Sequence, residues 1–218
     1  IEAGLVTKRH GDLYPLASEW GEQSVALVDR NAAPFFGVTS VGVHLLCFVY
    51  DVEGAPRVWM AQRAATKANF PNLWDPTVAG GQPDSLTIRA NVKKEAAEEA
   101  GVSASLVVRA RASGALSQMT AKPDGSCLKQ SLYFVYDLLV PIEFAPKPVD
   151  GEVQRFELWS AAEIEAEVRS GERLRPAMRL VMADFLIRHG VIDPDSEGRD
   201  YLELQRAMKQ PRLVLGVL

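Results

Sequence analysis

Cysteine and histidine are scarce in this sequence, whose 218 residues include two cysteines and three histidines. Cys47 and Cys127 are too few and too far apart for a disulfide framework or a cysteine zinc site, and we expect both to be reduced. His10, His44 and His189 are too few for a histidine-rich metal site, and no H-E-x-x-H pattern is present. A metal ion in this protein would therefore be held mostly by oxygen ligands.

Long apolar runs and blocks of like charge are also absent. The longest apolar run, residues 43–50, is interrupted by His44 and is far shorter than the ~20 residues of a membrane-spanning helix. The first ten residues lack the layout of a secretory signal peptide, so we expect a cytoplasmic protein. With 24 Lys and Arg against 28 Asp and Glu, the formal net charge is -4. No basic block would follow a polyanionic backbone, which disfavours long nucleic acid as a partner.

The composition is that of an ordinary globular protein, with 47% hydrophobic and 24% charged residues. The length fits one large domain with an appendage. Residues 1–36 are predicted to form an N-terminal extension, a short helix plus a strand, packed on a main domain of residues 37–218. That main domain ends in helices.

The order of predicted elements favours an α+β fold, because strands come in runs and do not alternate one by one with helices. A hairpin is predicted from strands 41–50 and 57–62 around a turn at 51–54. Residues 64–83, rich in proline and glycine, are predicted to form a long functional loop. Asp84 or Ser85 is expected to cap a helix that ends near Ala100, before Gly101. Further strands are predicted at 105–118, 131–140 and 153–158, a turn at 122–125, and helices at 161–168, 176–189 and 199–209.

Three glutamates gather in the last two turns of the predicted helix at 84–100. Glu95, Glu98 and Glu99 are spaced i, i+3 and i+4, so their side chains can converge. Glu99 also falls on the apolar stripe of the helix, where burying a lone carboxylate is costly, and the helix dipole favours cations at this end. A bound Mg²⁺, which prefers oxygen ligands, would compensate both costs. The alternative is an exposed helix in which these residues serve solubility, although Gly80 and Gly81 just before it would let a ligand approach the backbone closely.

Residues 80–102 resemble the Nudix box, G-x5-E-x7-R-E-U-x-E-E-x-G-U with U aliphatic. The matching positions are Gly80, Glu95, Ala96, Glu98, Glu99, Gly101 and Val102. Leu86 stands where the box has Glu, and Lys94 stands where it has Arg, although Lys94 can still hold Glu95 or Glu98. The resemblance implies an α/β/α sandwich with a mixed sheet, and hydrolysis of a diphosphate linked to another moiety X with Mg²⁺ or Mn²⁺.

The same resemblance implies roles for individual residues. Glu95, Glu98 and Glu99 would be metal ligands, and Ala79 would add a backbone carbonyl. Glu152 resembles a downstream loop glutamate that serves as a metal ligand or base. Asp150 is the other candidate for this role, and Glu152 would otherwise be a solvated turn residue without a function. Glu98 or Glu152 would accept the proton of the attacking water.

The segment before the box offers cations and aromatic rings. Arg63 and Lys67 are spaced to reach an anionic ligand, and their proximity in sequence to Gly80 favours contact with the diphosphate over a role as surface cations. Trp74 and Phe70 are candidates for stacking on a heteroaromatic X, and plugging the core is an equally common role for loop aromatics.

The wider context resembles the Nudix subgroup associated with thiamine pyrophosphokinase. Residues up to about 42, residues 63–74 and residues 75–81 carry this resemblance, which implies hydrolysis of thiamine diphosphate or its oxidised derivatives to the monophosphate. A small-molecule diphosphate is thus the expected partner. Small Nudix proteins often pair as dimers, so the resemblance leaves open both a monomer and a homodimer.

Three rival functions stay open, and one of them is a pyrophosphatase that acts on ADP-ribose or a sugar nucleotide. Isopentenyl diphosphate isomerase shares the scaffold and a similar arrangement of Arg63, Lys67 and Trp74, but its cysteine and histidine are replaced here by residues 77–79, Thr-Val-Ala. A non-catalytic Nudix-fold sensor of a nucleotide or cofactor is suggested by Leu86 and Lys94. Retention of all three box glutamates argues against the sensor.

Overall fold

The structure is a computed structural model that describes residues 11–121, 128–209 and 213–215. The described strands are β1 (Leu13–Leu16), β2 (Ala26–Asp29), β3 (Ser40–Tyr50), β4 (Pro56–Arg63), β5 (Trp74–Asp75), β6 (Val78–Gly81), β7 (Arg111–Ala121), β8 (Leu128–Leu139), β9 (Val153–Ser160) and β10 (Leu213–Leu215). The described helices are α1 (Ile88–Ala100), α2 (Ala104–Val107), α3 (Ala161–Arg169), α4 (Pro176–Arg188), α5 (Pro194–Glu197) and α6 (Arg199–Lys209). None of these helices is both long and apolar enough to cross a membrane.

One mixed sheet forms the centre of the fold. Its main order is β10-β7-β8-β3-β4-β5, while β6 pairs with β3 and β9 pairs with β4. The β3–β8 pair is parallel, whereas β3–β4, β4–β9 and β7–β8 are antiparallel. The prediction of an α+β fold with a mixed sheet is confirmed, as are the hairpin of β3 and β4 and the strands β8 and β9.

Alternation along β3 sends side chains to two cores, one on each face of the sheet. Val43, Leu45 and Cys47 pack with Val92 and the rest of the buried stripe of α1. Leu46 and Phe48 pack on the other face, with the buried side of α4. The sheet therefore lies between α1 and α4, as the α/β/α sandwich requires.

The sheet splits between β3 and β4, and this split creates the candidate site. The two strands pair only at Phe48–Tyr50 and diverge beyond that point. The Thr77 hydroxyl bridges them there, because it accepts from the Cys47 N–H at 2.9 Å and donates to the Trp59 carbonyl at 2.6 Å. The short strands β5 and β6 fill the opening, so the prediction of a continuous loop over 64–83 is wrong.

Other boundaries also differ from prediction. Helix α1 is capped by Thr87, whose side chain accepts from the Ala90 N–H, and not by Asp84 or Ser85. The strand predicted from residue 105 begins at Arg111, because Ala104–Val107 forms the short helix α2. The predicted turn at 122–125, Cys127 and His10 lie outside the described residues, and Cys47 is a buried free thiol.

The N-terminal segment is a hairpin and not a helix plus a strand. Strands β1 and β2 pair antiparallel, and a 3₁₀ turn follows at Ala33–Phe36. The segment contacts the main sheet through Trp20, whose ring lies 5.3 Å from that of Phe134. The division of the chain at residues 36 and 37 stays a prediction.

Candidate active site

Helix α1 places three carboxylates beside the split in the sheet. The helix begins at Ile88 after the Thr87 cap and ends at Ala100. It is followed by Gly101, whose φ of 62° puts it in the left-handed region that favours glycine. Glu95, Glu98 and Glu99 therefore lie in its last two turns, as the sequence predicts.

Glu99 is the most deeply buried of the three, at 6% exposure. One carboxylate oxygen accepts the N–H of Ala79 in β6 at 2.9 Å. The pKa of Glu99 is raised to about 8, chiefly by burial and also by the nearby carboxylates of Glu95, Asp75 and Glu152, against the lowering effect of the Ala79 N–H. A positive charge beside Glu99 would therefore stabilise its ionised form.

The Glu95 side chain packs directly against the Cα of Gly80. A Cβ on Gly80 would lie 2.4 Å from the carboxyl carbon of Glu95. Burial raises the pKa of Glu95, although Lys94 opposes the rise. Gly80 therefore serves the packing of a box glutamate.

Lys94, the departure from the box arginine, bridges the other two glutamates. Its ammonium lies 3.2 Å from a Glu95 oxygen and 2.8 Å from a Glu98 oxygen. This confirms the prediction that Lys94 still holds its neighbours. Among the residues that the structure describes, no three Asp, Glu, His or Cys side chains are already gathered around one point. Convergence of Glu95, Glu98 and Glu99 would require Lys94 to release its partners.

The wall opposite Glu99 carries Glu152 and Lys67, which form an ion pair. Burial works against ionisation of Glu152. The positive charges of Lys67, Arg63 and Arg30 outweigh burial and hold the pKa of Glu152 below its usual range. A cleft lies between the two walls. It is lined by Ala61, Arg63, Lys67, Asp75, Pro76, Ala79, Glu99, Glu152 and Val153. Asp150 instead accepts the backbone N–H of Glu152 and so shapes the turn.

Arg63 lines this cleft, but its donors are used within the protein. Its Nε and one terminal nitrogen donate to the carbonyls of Phe70 and Asn69, each at 3.0 Å. The other terminal nitrogen donates to Asp75 at 2.7 Å. Arg63 therefore holds the loop before β5, and Lys67 is the better placed of the two predicted cations to meet an anionic ligand.

Trp74 does not lie where a ligand could stack on it. It is 3% exposed, and its ring packs 5.0 Å from that of Trp159 in the core on the α4 side. The core-plugging interpretation is correct for Trp74. Phe70 is only half-buried and remains a candidate for ligand contact.

Sequence reasoning missed Asp75, Arg175, Arg30 and Tyr14. Asp75 is buried between Arg63 and Arg175, with an oxygen 2.6 Å from the Arg175 Nε, and both guanidinium groups hold the pKa of Asp75 low although burial opposes them. Arg30 and Tyr14 approach Gly81, where a Cβ would lie 2.9 Å from each. The only sequence signal for Asp75 was its place before Pro76, and nothing marked Arg30, because its approach depends on the packing of the N-terminal hairpin.

The donor set fits a hard divalent cation. The carboxylates of Glu95 and Glu152 both contribute to the raised pKa of Glu99, so they lie near it, and carboxylates are the ligands that Mg²⁺ and Mn²⁺ prefer. The Glu99 carboxylate accepts the N–H of Ala79, so the carbonyl of the same residue lies close to Glu99. An anionic substrate would meet Lys67 on the opposite wall.

Known proteins are similar to this chain in sequence or in fold. A family model described as the NUDIX domain matches residues 41–183. Nudix hydrolase 20, chloroplastic, of Arabidopsis thaliana is 35% identical over 208 residues, which cover 95% of this chain and 54% of that protein. Nudix hydrolase 24, chloroplastic, of the same plant is 35% identical over 206 residues, covering 94% and 55%. The chain thus spans about half the length of these relatives. The structure of DR0079 from Deinococcus radiodurans shares the fold, with a TM-score of 0.56 at 18% identity, covering 79% of this chain and 96% of that one.

Proposed function

The chain belongs to the Nudix hydrolase family, and from that premise we propose that it hydrolyses thiamine diphosphate or an oxidised derivative to the monophosphate and phosphate. The family hydrolyses substrates that contain a pyrophosphate linkage, so the enzyme class follows from membership. The identity of X as a thiamine-type group is the step that we add.

One observation carries the assignment of the reaction to this cleft. The buried Glu99 carboxylate faces a wall that holds both an ammonium, Lys67, and a second carboxylate, Glu152. A diphosphate needs positive charge around its oxygens and an acceptor for the proton of the attacking water. The cleft supplies Lys67 for the first requirement and Glu152 for the second.

Nudix enzymes generally use divalent metal ions, and we assign Mg²⁺ or Mn²⁺ to the α1 side of the cleft. Glu95, Glu98, Glu99 and the Ala79 carbonyl would hold the ion, with Lys94 moving aside. A bound divalent ion would supply Lewis-acid polarisation of the phosphoryl oxygens and charge neutralisation.

Glu152 is a better candidate than Glu98 for the proton acceptor. Glu152 lines the cleft, and the Lys67 ammonium keeps its carboxylate ionised. Glu98 has a side chain that is 50% exposed and bonded to Lys94 on the outer surface of α1. Glu152 would take the proton from water, while Lys67 orients its carboxylate and meets the phosphate.

The thiamine assignment is supported by residues outside the box. Residues 63–81, which resemble the thiamine pyrophosphokinase-associated subgroup, form the loop, the short strands β5 and β6, and one wall of the cleft. The residues that carry the resemblance to this subgroup thus include residues that line the cleft.

The sensor and isomerase alternatives lack comparable support. A sensor has no need for a carboxylate buried as completely as Glu99. The isomerase needs a cysteine and a histidine where this chain has Thr77, Val78 and Ala79, and Thr77 is occupied in bridging β3 and β4.

Product analysis tests the proposal. Thiamine diphosphate, its oxidised analogues, ADP-ribose, a sugar nucleotide and isopentenyl diphosphate are incubated with enzyme and Mg²⁺, and products are separated by chromatography. We expect thiamine-type substrates to release the monophosphate fastest. If only nucleotide substrates are cleaved, the protein is a hydrolase but X is not thiamine. Saturable binding without turnover would favour the sensor.

A further inference from the structure

The N-terminal hairpin of β1 and β2 places a guanidinium group beside the cleft that holds Glu99, and the proposed chemistry does not use this group. Arg30 directly follows β2, and its backbone N–H donates to the carbonyl of Asp12 at 3.0 Å. A hydrogen bond ties the hairpin to the main domain, because the Asp84 N–H donates to the Leu13 carbonyl at 3.4 Å. The hairpin is therefore fixed beside residues 81–84, at the start of the Nudix box.

The Arg30 guanidinium packs directly against the second glycine of the box. A Cβ on Gly81 would lie 2.9 Å from a terminal nitrogen of Arg30 and 2.9 Å from the hydroxyl of the buried Tyr14. The carboxyl group of Glu95 packs in the same way against the neighbouring Gly80. Because successive residues of a strand face opposite sides, Arg30 and Glu95 flank β6 at two consecutive residues.

One edge of β6 leads from the cleft to Arg30. The strand pairs with β3 along its other edge, and the edge toward the split carries the Ala79 N–H that donates to Glu99. The positive charge of Arg30 also contributes to the lowered pKa of Glu152, so Arg30 lies near the opposite wall as well. An anion that enters between Glu99 and Glu152 and continues along this edge of β6 reaches Arg30 next.

Most of the hydrogen-bond donors of Arg30 are available to such an anion. An arginine side chain has five N–H donors. Among the residues that the structure describes, the Arg30 side chain donates one hydrogen bond, to a carboxylate oxygen of Asp12 at 3.5 Å. The two side chains are 39% and 47% exposed, and such a long, exposed ion pair contributes little to stability. Arg63, by contrast, uses its donors for Asp75 and two carbonyls.

We propose that Arg30 binds the diphosphate of the substrate, so that the N-terminal hairpin completes the active site. The planar guanidinium matches two oxygens of one phosphate group. Lys67 would hold the diphosphate from the Glu152 wall, and Arg30 would hold it from the Gly81 end of β6. The inference rests on the proposed function, in which a diphosphate is hydrolysed in this cleft. It adds a binding residue that lies outside residues 41–183, the part of the chain that the NUDIX family model matches.

The test is binding of methylenediphosphonate, measured by calorimetry in excess Mg²⁺. A carbon atom joins the two phosphonate groups of this analogue, so it is not hydrolysed, and it carries no X. Arg30→Gln removes the charge, and Arg30→Lys keeps the charge without the planar fork. Asp12→Asn is the matched control, because it removes the carboxylate that faces Arg30 and leaves the guanidinium in place. Circular dichroism melting verifies the fold, and Arg30→Lys decides if Arg30→Gln does not fold.

We expect Arg30→Gln to weaken binding at least about 10-fold, because hydrogen bonds between charged groups are the strong ones. Arg30→Lys should weaken binding about 3-fold, and Asp12→Asn should weaken it less than about 2-fold. Unchanged binding in Arg30→Gln would overturn the contact. An equal loss in Asp12→Asn would also overturn it, because Arg30 would then act by holding the hairpin in place.

Steady-state kinetics on the best substrate of the product panel separates this inference from the proposed function. If wild type hydrolyses a diphosphate and Arg30→Gln keeps the same KM and kcat, only the role of Arg30 fails. If KM rises in Arg30→Gln while binding of methylenediphosphonate is unchanged, Arg30 contacts X and the diphosphate contact is wrong. If wild type neither binds methylenediphosphonate nor hydrolyses any diphosphate, the proposed function fails and the role of Arg30 fails with it.

Discussion

Replacing Glu99 with glutamine should make the metal-free protein more stable at alkaline pH. Glutamine keeps an oxygen that can accept the Ala79 N–H, so the change removes the ionisable proton and little else. Because the pKa of Glu99 is raised from 4.5 to about 8 in the folded protein, the unfolded chain ionises first as pH rises. The contribution of Glu99 to stability therefore falls between pH 4.5 and about 8, and the Glu99→Gln variant escapes this loss.

The size of the effect follows from the displacement of the pKa. A rise in the pKa of Glu99 from 4.5 to about 8 corresponds to about 5 kcal/mol of folding free energy lost on ionisation, at about 1.4 kcal/mol per pKa unit. Relaxation and water entry on ionisation reduce such values, so we expect the variant to gain about 2–3 kcal/mol over wild type between pH 5 and pH 9.

Urea unfolding in EDTA at pH 5 and pH 9, followed by tryptophan fluorescence, measures this difference. The exposed Glu203→Gln on α6 is the matched control and should follow wild type at both pH values. Adding Mg²⁺ at pH 9 should stabilise wild type, by about 2.7 kcal/mol at a hundred times its dissociation constant, and leave Glu99→Gln unchanged. Parallel pH profiles for wild type and Glu99→Gln would refute the account of Glu99.

Three further changes test the surroundings of the site. Gly80→Ala should lower Mg²⁺-dependent kcat/KM at least about 10-fold in steady-state kinetics, because its Cβ would lie 2.4 Å from the Glu95 carboxyl carbon. Trp74→Phe should cost about 1–3 kcal/mol in urea unfolding and leave KM unchanged, since Trp74 is a core residue; a raised KM without a stability loss would contradict this. Asp75→Asn should cost about 3 kcal/mol in thermal unfolding, because Arg63 and Arg175 would lose a shared buried partner, and an unchanged Tm would show that the pair is dispensable.

The sequence predicted the elements with strong local signals. Helix α1 and its glycine cap follow from periodicity and from Gly101, and β3, β4 and β8 follow from their apolar, β-branched runs. The placement of Glu99 on a buried stripe was predictable because helical geometry is regular. The start of α1 was missed because Thr87, Ser85 and Asp84 are all good capping residues.

The features that the sequence could not predict depend on long-range packing. Strands β5 and β6 are two and four residues long, and they exist because β3 and β4 diverge there. The burial of Trp74 depends on Trp159, 85 positions away in the chain. Arg63 has the spacing of a phosphate contact, and only the fold shows that its donors are used by Asp75 and two carbonyls.

The most direct test of the central claim is a Mg²⁺ titration of diphosphate hydrolysis with wild type and Glu99→Gln. The best substrate of the product panel is used, and release of the monophosphate is followed at saturating substrate. We expect activity that requires the metal in wild type and falls at least about 100-fold in the variant, with no rescue at high Mg²⁺. Metal-dependent turnover that survives in Glu99→Gln would show that the reaction takes place without this carboxylate.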